Sequence, residues 1–161
     1  LKIALKSKPS FVCIVPEKRK EITTEGGLNL DKDNFRIKKI IYYLKKKGIR
    51  TSLFIEPKIR NIKKAKKLGA DCVELHTGKF CNLYNLNKKF FNEFIRIKKV
   101  AKYANIIGLE VHAGHGLTYQ TAKMIKKIKN IKELNIGHFI ISEAIFIGLK
   151  KAILNFKKIL K

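Results

Sequence analysis

Short unbroken apolar runs alternate along this chain with longer segments whose apolar residues recur every three to four positions. Leu1 to Lys8 reads as the tail of a helix that Pro9 stops. Phe11-Val12-Cys13-Ile14-Val15 is continuous enough for a parallel strand buried on both faces. From Asn34 to Lys47 the residues Ile37, Ile40, Ile41 and Leu44 keep helical spacing, and Gly48 supplies a C-cap. Arg50 to Ile55 predicts a strand, and Ile59 to Leu68 a helix ending at Gly69. Cys72-Val73-Glu74-Leu75 predicts a third strand. Lys79 to Lys89 has no clear period and is expected to be loose. A long helix is expected from Phe90 to Asn105, a strand at Leu109-Glu110-Val111 and a short helix from Thr121 to Lys127. A fifth strand at Glu133 to Ile136 and one closing amphipathic helix from Ser142 to Leu160 complete the series.

Five strand-then-helix units with short connections predict an α/β fold with a parallel sheet. The expected architecture is a (β/α)8 TIM barrel, of which residues 1–161 supply about the last five βα units as one partial domain. Such a barrel needs eight units and about 250 residues, and a chain that opens inside an element is expected of a piece of a longer protein. In barrels of this kind, functional groups lie at the C-terminal ends of the strands. Each predicted strand here ends in polar or glycine-rich residues: Glu17-Lys18-Arg19, Glu56, Glu74 with His76, His112 with His115, and Gly137-His138.

Those ends suggest specific chemistry. His115 lies between Gly114 and Gly116, so its backbone can approach a ligand closely, and its imidazole can exchange a proton near neutral pH. The bland reading is a loop histidine that caps a helix. Gly116, Gly137 and His138 together suit a phosphate, through exposed backbone N–H groups and the start of the following helix; the alternative for Gly137-His138 is an ordinary tight turn. Glu74 interrupts an apolar strand and points into the barrel if Val73 and Leu75 face the helices. It then serves a ligand or a structural ion pair. His76, two residues on, shares that face as a direct or a supporting group. Thr23-Thr24-Glu25-Gly26-Gly27 offers hydroxyls and N–H groups to a substrate, or Glu25 caps a helix.

Charge changes the picture less than its size suggests. The formal net charge is +25, with 37 Lys and Arg against 12 Asp and Glu. Only five of the basic residues are Arg, which leads in base and bidentate phosphate contacts, and the lysines spread over every predicted helix. Codon bias toward A and T explains the abundance of Lys, Ile and Asn, so no nucleic-acid partner is expected. No apolar run reaches the roughly 20 residues of a membrane span and no signal peptide stands out, so no membrane association and a cytoplasmic location are expected. Cys13, Cys72 and Cys81 lack C-x-x-C spacing, and Cys13 and Cys72 are expected to be small buried hydrophobes in a reducing compartment. No metal-ligand spacing, GxGxxG or P-loop is apparent.

Taken jointly, Val15-Pro16-Glu17-Lys18-Arg19, Thr23-Thr24-Glu25-Gly26-Gly27, Ser52-Leu53-Phe54-Ile55, Glu74-Leu75-His76-Thr77-Gly78, Ala113-Gly114-His115-Gly116-Leu117-Thr118-Tyr119 and Glu133-Leu134-Asn135-Ile136-Gly137-His138 resemble the pyridoxine 5′-phosphate synthase family in order and approximate spacing. The resemblance implies a transferase-class barrel enzyme of vitamin B6 biosynthesis. It would condense 3-amino-2-oxopropyl phosphate with 1-deoxy-D-xylulose 5-phosphate and release inorganic phosphate and water. It further implies no cofactor, no metal and a cytoplasmic homo-octamer. By position, His115 resembles the family's proton donor and Glu74 its transition-state stabiliser. Thr23 resembles the contact to the deoxyxylulose phosphate, and Gly116, Gly137 and His138 the contacts to the aminooxopropyl phosphate. His112 stands where the family usually has Asn. The family's first three strands, which carry an Asn-x-Asp-His motif, a His and Arg pair and a second, basic Glu, have no counterpart here, so these residues alone are expected to be inactive and poorly soluble. Two other readings compete: another phosphate-binding TIM-barrel enzyme, and an inactive basic remnant with non-specific nucleic-acid affinity.

Overall fold

The computed structural model describes residues 1–16, 26–32 and 34–161. A short helix α1 (Lys2–Ser7) leads to β1 (Phe11–Ile14), and the alternation continues with α2 (Asn34–Lys45), β2 (Arg50–Ile55), α3 (Ile59–Leu68), β3 (Cys72–His76), α4 (Gly78–Asn85), α5 (Phe91–Ile106), β4 (Glu110–Gly114), α6 (Tyr119–Ile125), β5 (Ile131–Asn135), α7 (His138–Ile147) and α8 (Leu149–Leu160). The five strands form one sheet in the order β1-β2-β3-β4-β5, and every neighbouring pair is parallel. Parallel neighbours require crossover connections, which the helices provide. Among the described residues the sheet is open, with β1 and β5 at its edges.

Side-chain alternation gives the sheet two unlike faces. Leu53, Ile55, Val73, Leu75, Val111 and Ala113 are fully buried in one cluster with Ile41, Ile62, Ala65, Ile97, Ala101, Ala104 and Ile125 of the helices. This apolar layer is the core. The other face is polar. Register aligns Ser52 with Cys72 and Glu110, and Phe54 with Glu74, His112 and Glu133, with a register shift between Val111 and His112 on the β5 side. The side chains of these rows meet: Arg50 Nη2 lies 2.9 Å from Glu110 Oε2 and 3.4 Å from Cys72 Sγ, and His112 Nε2 lies 2.8 Å from Glu110 Oε1. Most of the polar side chains here satisfy one another, as burial demands, while the buried Ser52 hydroxyl has no hydrogen-bond partner among the described residues.

Three sequence expectations need correction. Residues 78–85 are helical, because Phe80 and Cys81 are fully buried and Phe80 packs on Tyr84, Phe90 and Phe94. Tertiary burial outweighs the weak local period. The closing helix is two helices, broken at Gly148, whose φ of 80° and ψ of 145° are open to glycine and leave the helix. Cys72 is buried as expected, but Cys13 is exposed, because β1 is an edge strand. No described helix is long and apolar enough to cross a membrane.

Candidate active site

The C-terminal strand ends converge on a cavity of about 670 Å³. Glu74 from β3, His115 and Gly116 after β4, and Gly137 and His138 after β5 all line it. Five of the six residues singled out from the sequence are therefore together. The sixth, Thr23, lies outside the described residues, as do Glu17-Lys18-Arg19, Thr24 and Glu25.

Glu74 points to the polar face of the sheet, as alternation required. It is nearly buried, and its Oε2 accepts hydrogen bonds from Asn135 Nδ2 at 2.6 Å and Cys13 Sγ at 3.4 Å. Its carboxylate fills the space beside Gly114, where a methyl group would clash with Oε1. Although the Cys13 residue as a whole is exposed, its thiol sits desolvated against the sheet, and that burial first, then the Glu74 charge, pushes it up to about 12.

His115 adopts φ 79°, an uncommon conformation for a residue with a side chain. Thr77 holds it there. Its hydroxyl lies 2.8 Å from the Gly114 carbonyl oxygen and 2.6 Å from that of His115. A conformation of this cost persists only where its surroundings enforce it, and such residues gather at functional sites. The His115 ring is half-buried and flanked by His76 at 4.8 Å and Phe54 at 6.5 Å between centroids. Burial lowers its proton affinity, and the nearby His76 and His138 rings, which repel a further cation whenever they are protonated, lower it again.

Gly116 also has a positive φ, 75°, and continues the turn into α6. Thr118 caps that helix with its side chain, in a reciprocal pair with Thr121. At the start of α7 the N-cap is Gly137, with no side-chain cap, and His138 is the first helical residue. The first N–H groups of α7 are thus unspent by any capping side chain and open beside the cavity, a favourable arrangement for an anion.

The structure separates His112 from His115. His112 is buried on the polar face between Glu110, 2.8 Å from Nε2, and Glu133, 3.8 Å from Nδ1, with the Phe11 ring 5.9 Å away. Ligating atoms of Cys72, Glu110 and His112 lie within 4.8 Å of one another, a grouping that sequence spacing did not signal. The Arg50 guanidinium already sits against two of the three, so the cluster is internally neutralised. Sequence reasoning assigned no role to Asn135 or Thr77. The only local signal for Asn135 was its place two residues before Gly137-His138, and Thr77 was legible only as the residue after His76.

Parallel strands, outer helices and functional groups gathered at the strand C-termini define an α/β protein of TIM-barrel type. Solved structures agree on the fold. The crystal structure of 3-hexulose-6-phosphate synthase from Salmonella typhimurium matches with a TM-score of 0.65 at 16% identity, over 99% of this chain and 65% of that one. The YdjI aldolase from Escherichia coli K12 matches with a TM-score of 0.60 at 11% identity, over 99% of this chain and 60% of that one.

The particular family follows from sequence comparison. The model of the pyridoxal phosphate biosynthesis protein PdxJ matches residues 1–161, and the chain belongs to that family. The chain is 59% identical over 157 residues to the pyridoxine 5′-phosphate synthase of Pelagibacter ubique, covering 98% of this chain and 66% of the relative. The synthase of Sulfurihydrogenibium sp. is 50% identical over 158 residues, covering 98% and 64%, and that of Rhodospirillum rubrum 50% over 153 residues, covering 95% and 61%. The chain therefore spans a little under two thirds of the length of these relatives.

Proposed function

We propose that the protein containing this chain is a pyridoxine 5′-phosphate synthase. It condenses 3-amino-2-oxopropyl phosphate with 1-deoxy-D-xylulose 5-phosphate, closes the ring and releases inorganic phosphate and water. The observation that carries this reading is the meeting of His115, Glu74, Gly116, Gly137 and His138 on one cavity, in a chain of this family.

Each residue has a role that its surroundings support. The phosphate of the aminooxopropyl substrate is received by the backbone at Gly116, Gly137 and His138, where the start of α7 adds a favourable dipole. His115 is the proton donor. A lowered proton affinity makes its imidazolium a stronger acid toward a leaving oxygen. Glu74, fixed by Asn135, opposes positive charge that develops on the substrate, and its orientation costs nothing at the moment of reaction. Thr23 contacts the deoxyxylulose phosphate. In this reading the chain supplies about the last five βα units of an eight-unit barrel, and the protein works without a metal or cofactor, as a cytoplasmic homo-octamer.

Incubating the full-length protein with both phosphorylated substrates tests the proposal. Pyridoxine 5′-phosphate and inorganic phosphate are expected in equal amounts, and His115→Asn lowers the rate about 10²–10⁴-fold. No product from the parent protein, or full activity in the variant, refutes it.

A further inference from the structure

Burial leaves His76 Nε2 without a hydrogen-bond partner among the described residues. The other ring nitrogen is well held: His76 Nδ1 lies 2.7 Å from Glu56 Oε1. The bond to His76 lowers the proton affinity of Glu56, so the carboxylate is charged at neutral pH and His76 Nδ1 carries the donated proton. In the neutral ring Nε2 is then a bare lone pair. It faces Gly78, where a Cβ would stand 2.7 Å from Nε2 and 2.9 Å from His115 Cδ2. The edges of both rings therefore meet over the one residue without a side chain. The rings are 4.8 Å apart at 51°, and Phe54 packs edge-on against His76 at 5.2 Å.

We propose that Glu56 and His76 are positioning residues for His115: the carboxylate fixes the His76 ring with Nδ1 protonated and Nε2 bare, and that ring sets the orientation and protonation of His115. This rests on the reading of His115 as proton donor. A second cavity of about 540 Å³ runs behind the pair, lined by Glu56, His76, Gly78 and His115. The charged and titratable groups that face His115 across the two cavities are His76, Glu56 and Glu74 from the sheet, Lys79 and Lys88 from α4 and the segment after it, and His138 from α7. Of these, His76 is the one in ring contact with His115 and braced by a carboxylate. Such bracing fixes a histidine's tautomer, and at metal sites loss of the equivalent carboxylate partner costs about 10–100-fold in affinity or activity.

The test uses full-length protein with ¹⁵N-labelled histidine. Long-range ¹⁵N–¹H spectra are expected to show His76 as the Nδ1–H tautomer in the parent. An Nε2–H tautomer there overturns the proposal without any variant. In Glu56→Ala the Nε2–H form becomes populated, and in His76→Asn the titration midpoint of His115 moves. A fixed tautomer in the first variant, or an unmoved midpoint in the second, overturns it. In the synthase assay Glu56→Ala lowers kcat about 10–100-fold with KM for either substrate within about twofold, and Glu56→Asp restores part of the loss; an unchanged kcat contradicts the proposal. If the parent protein makes no product, the synthase reading fails, while the spectra still decide whether Glu56 and His76 position His115.

Discussion

Gly114→Ala tests how tightly the site carboxylate is held. Gly114 has no positive φ, so alanine is acceptable to its backbone, and the cost is one of space. The new methyl group would overlap Glu74 Oε1 and stand 3.0 Å from the Asn135 carbonyl oxygen and 3.1 Å from Glu74 Cδ. The sheet backbone cannot give way without breaking its ladder, so the carboxylate must move. It then loses the 2.6 Å bond from Asn135. Overpacking costs about 1–3 kcal/mol and a hydrogen bond to a charged group about 1.5–3 kcal/mol. Because the two overlap, the expected destabilisation is about 2–5 kcal/mol. For a protein of this size about 2–4 °C is lost per kcal/mol, so Tm should fall by roughly 4–20 °C. Gly26→Ala is the control: nothing lies within 4 Å of its added methyl group and its φ is not positive, so its effect on stability should stay within about 0.5 kcal/mol. Thermal and urea unfolding of parent and both variants decide the matter. A Gly114→Ala protein that melts with the parent, or a control equally damaged, refutes the account of Glu74 as a wedged, bonded carboxylate.

Other expectations follow from the same geometry. Thr77→Val removes the hydroxyl that bonds two carbonyl oxygens and should cost about 1–3 kcal/mol in urea unfolding; no loss would show that the His115 conformation is held by other means. Because His115 has φ 79°, His115→Gly should be more stable than His115→Ala, the reverse of the usual order, and equal or inverted unfolding midpoints would contradict the strain argument. The Cys13 thiol, pushed up to about 12, should react slowly with iodoacetamide at pH 8, and Glu74→Gln should speed it; equal rates count against the Cys13–Glu74 contact. Glu110 is held below the usual carboxylate range by its bonds from His112 and Arg50, and Glu56 by its bond from His76. Their contribution to stability is present above about pH 4.5, the ordinary carboxylate value, and is lost as pH falls through the lower folded values. Urea midpoints measured from pH 7 downward should therefore drop, and less steeply in Glu110→Gln; parallel curves would refute that assignment.

The order of elements was legible because a parallel, two-layered sheet leaves a strong imprint. Strands such as Leu53 to Ile55 and helices such as Ile59 to Leu68 keep their own periods whatever surrounds them. Glycines and histidines at strand ends were legible as chemistry for the same reason: they interrupt those periods. What the sequence alone left open depends on atoms far apart in the chain. The bracing of Glu74 by Asn135 joins residues 61 positions apart, and that of His115 by Thr77 spans 38. The helix at Gly78–Asn85 exists because Phe80 finds a pocket of aromatic rings from the next segment. His112, three residues from His115, shares no site with it, because the side chain meets a carboxylate pair on the polar face of the sheet instead. Alternation, helix stops and the groups able to carry a proton or receive an anion are readable along the chain, since those are properties of neighbouring residues. Which of those groups meet is settled by the fold, because hydrogen bonds and ring contacts act over a few ångströms and the sheet register sets which distant residues come within that reach.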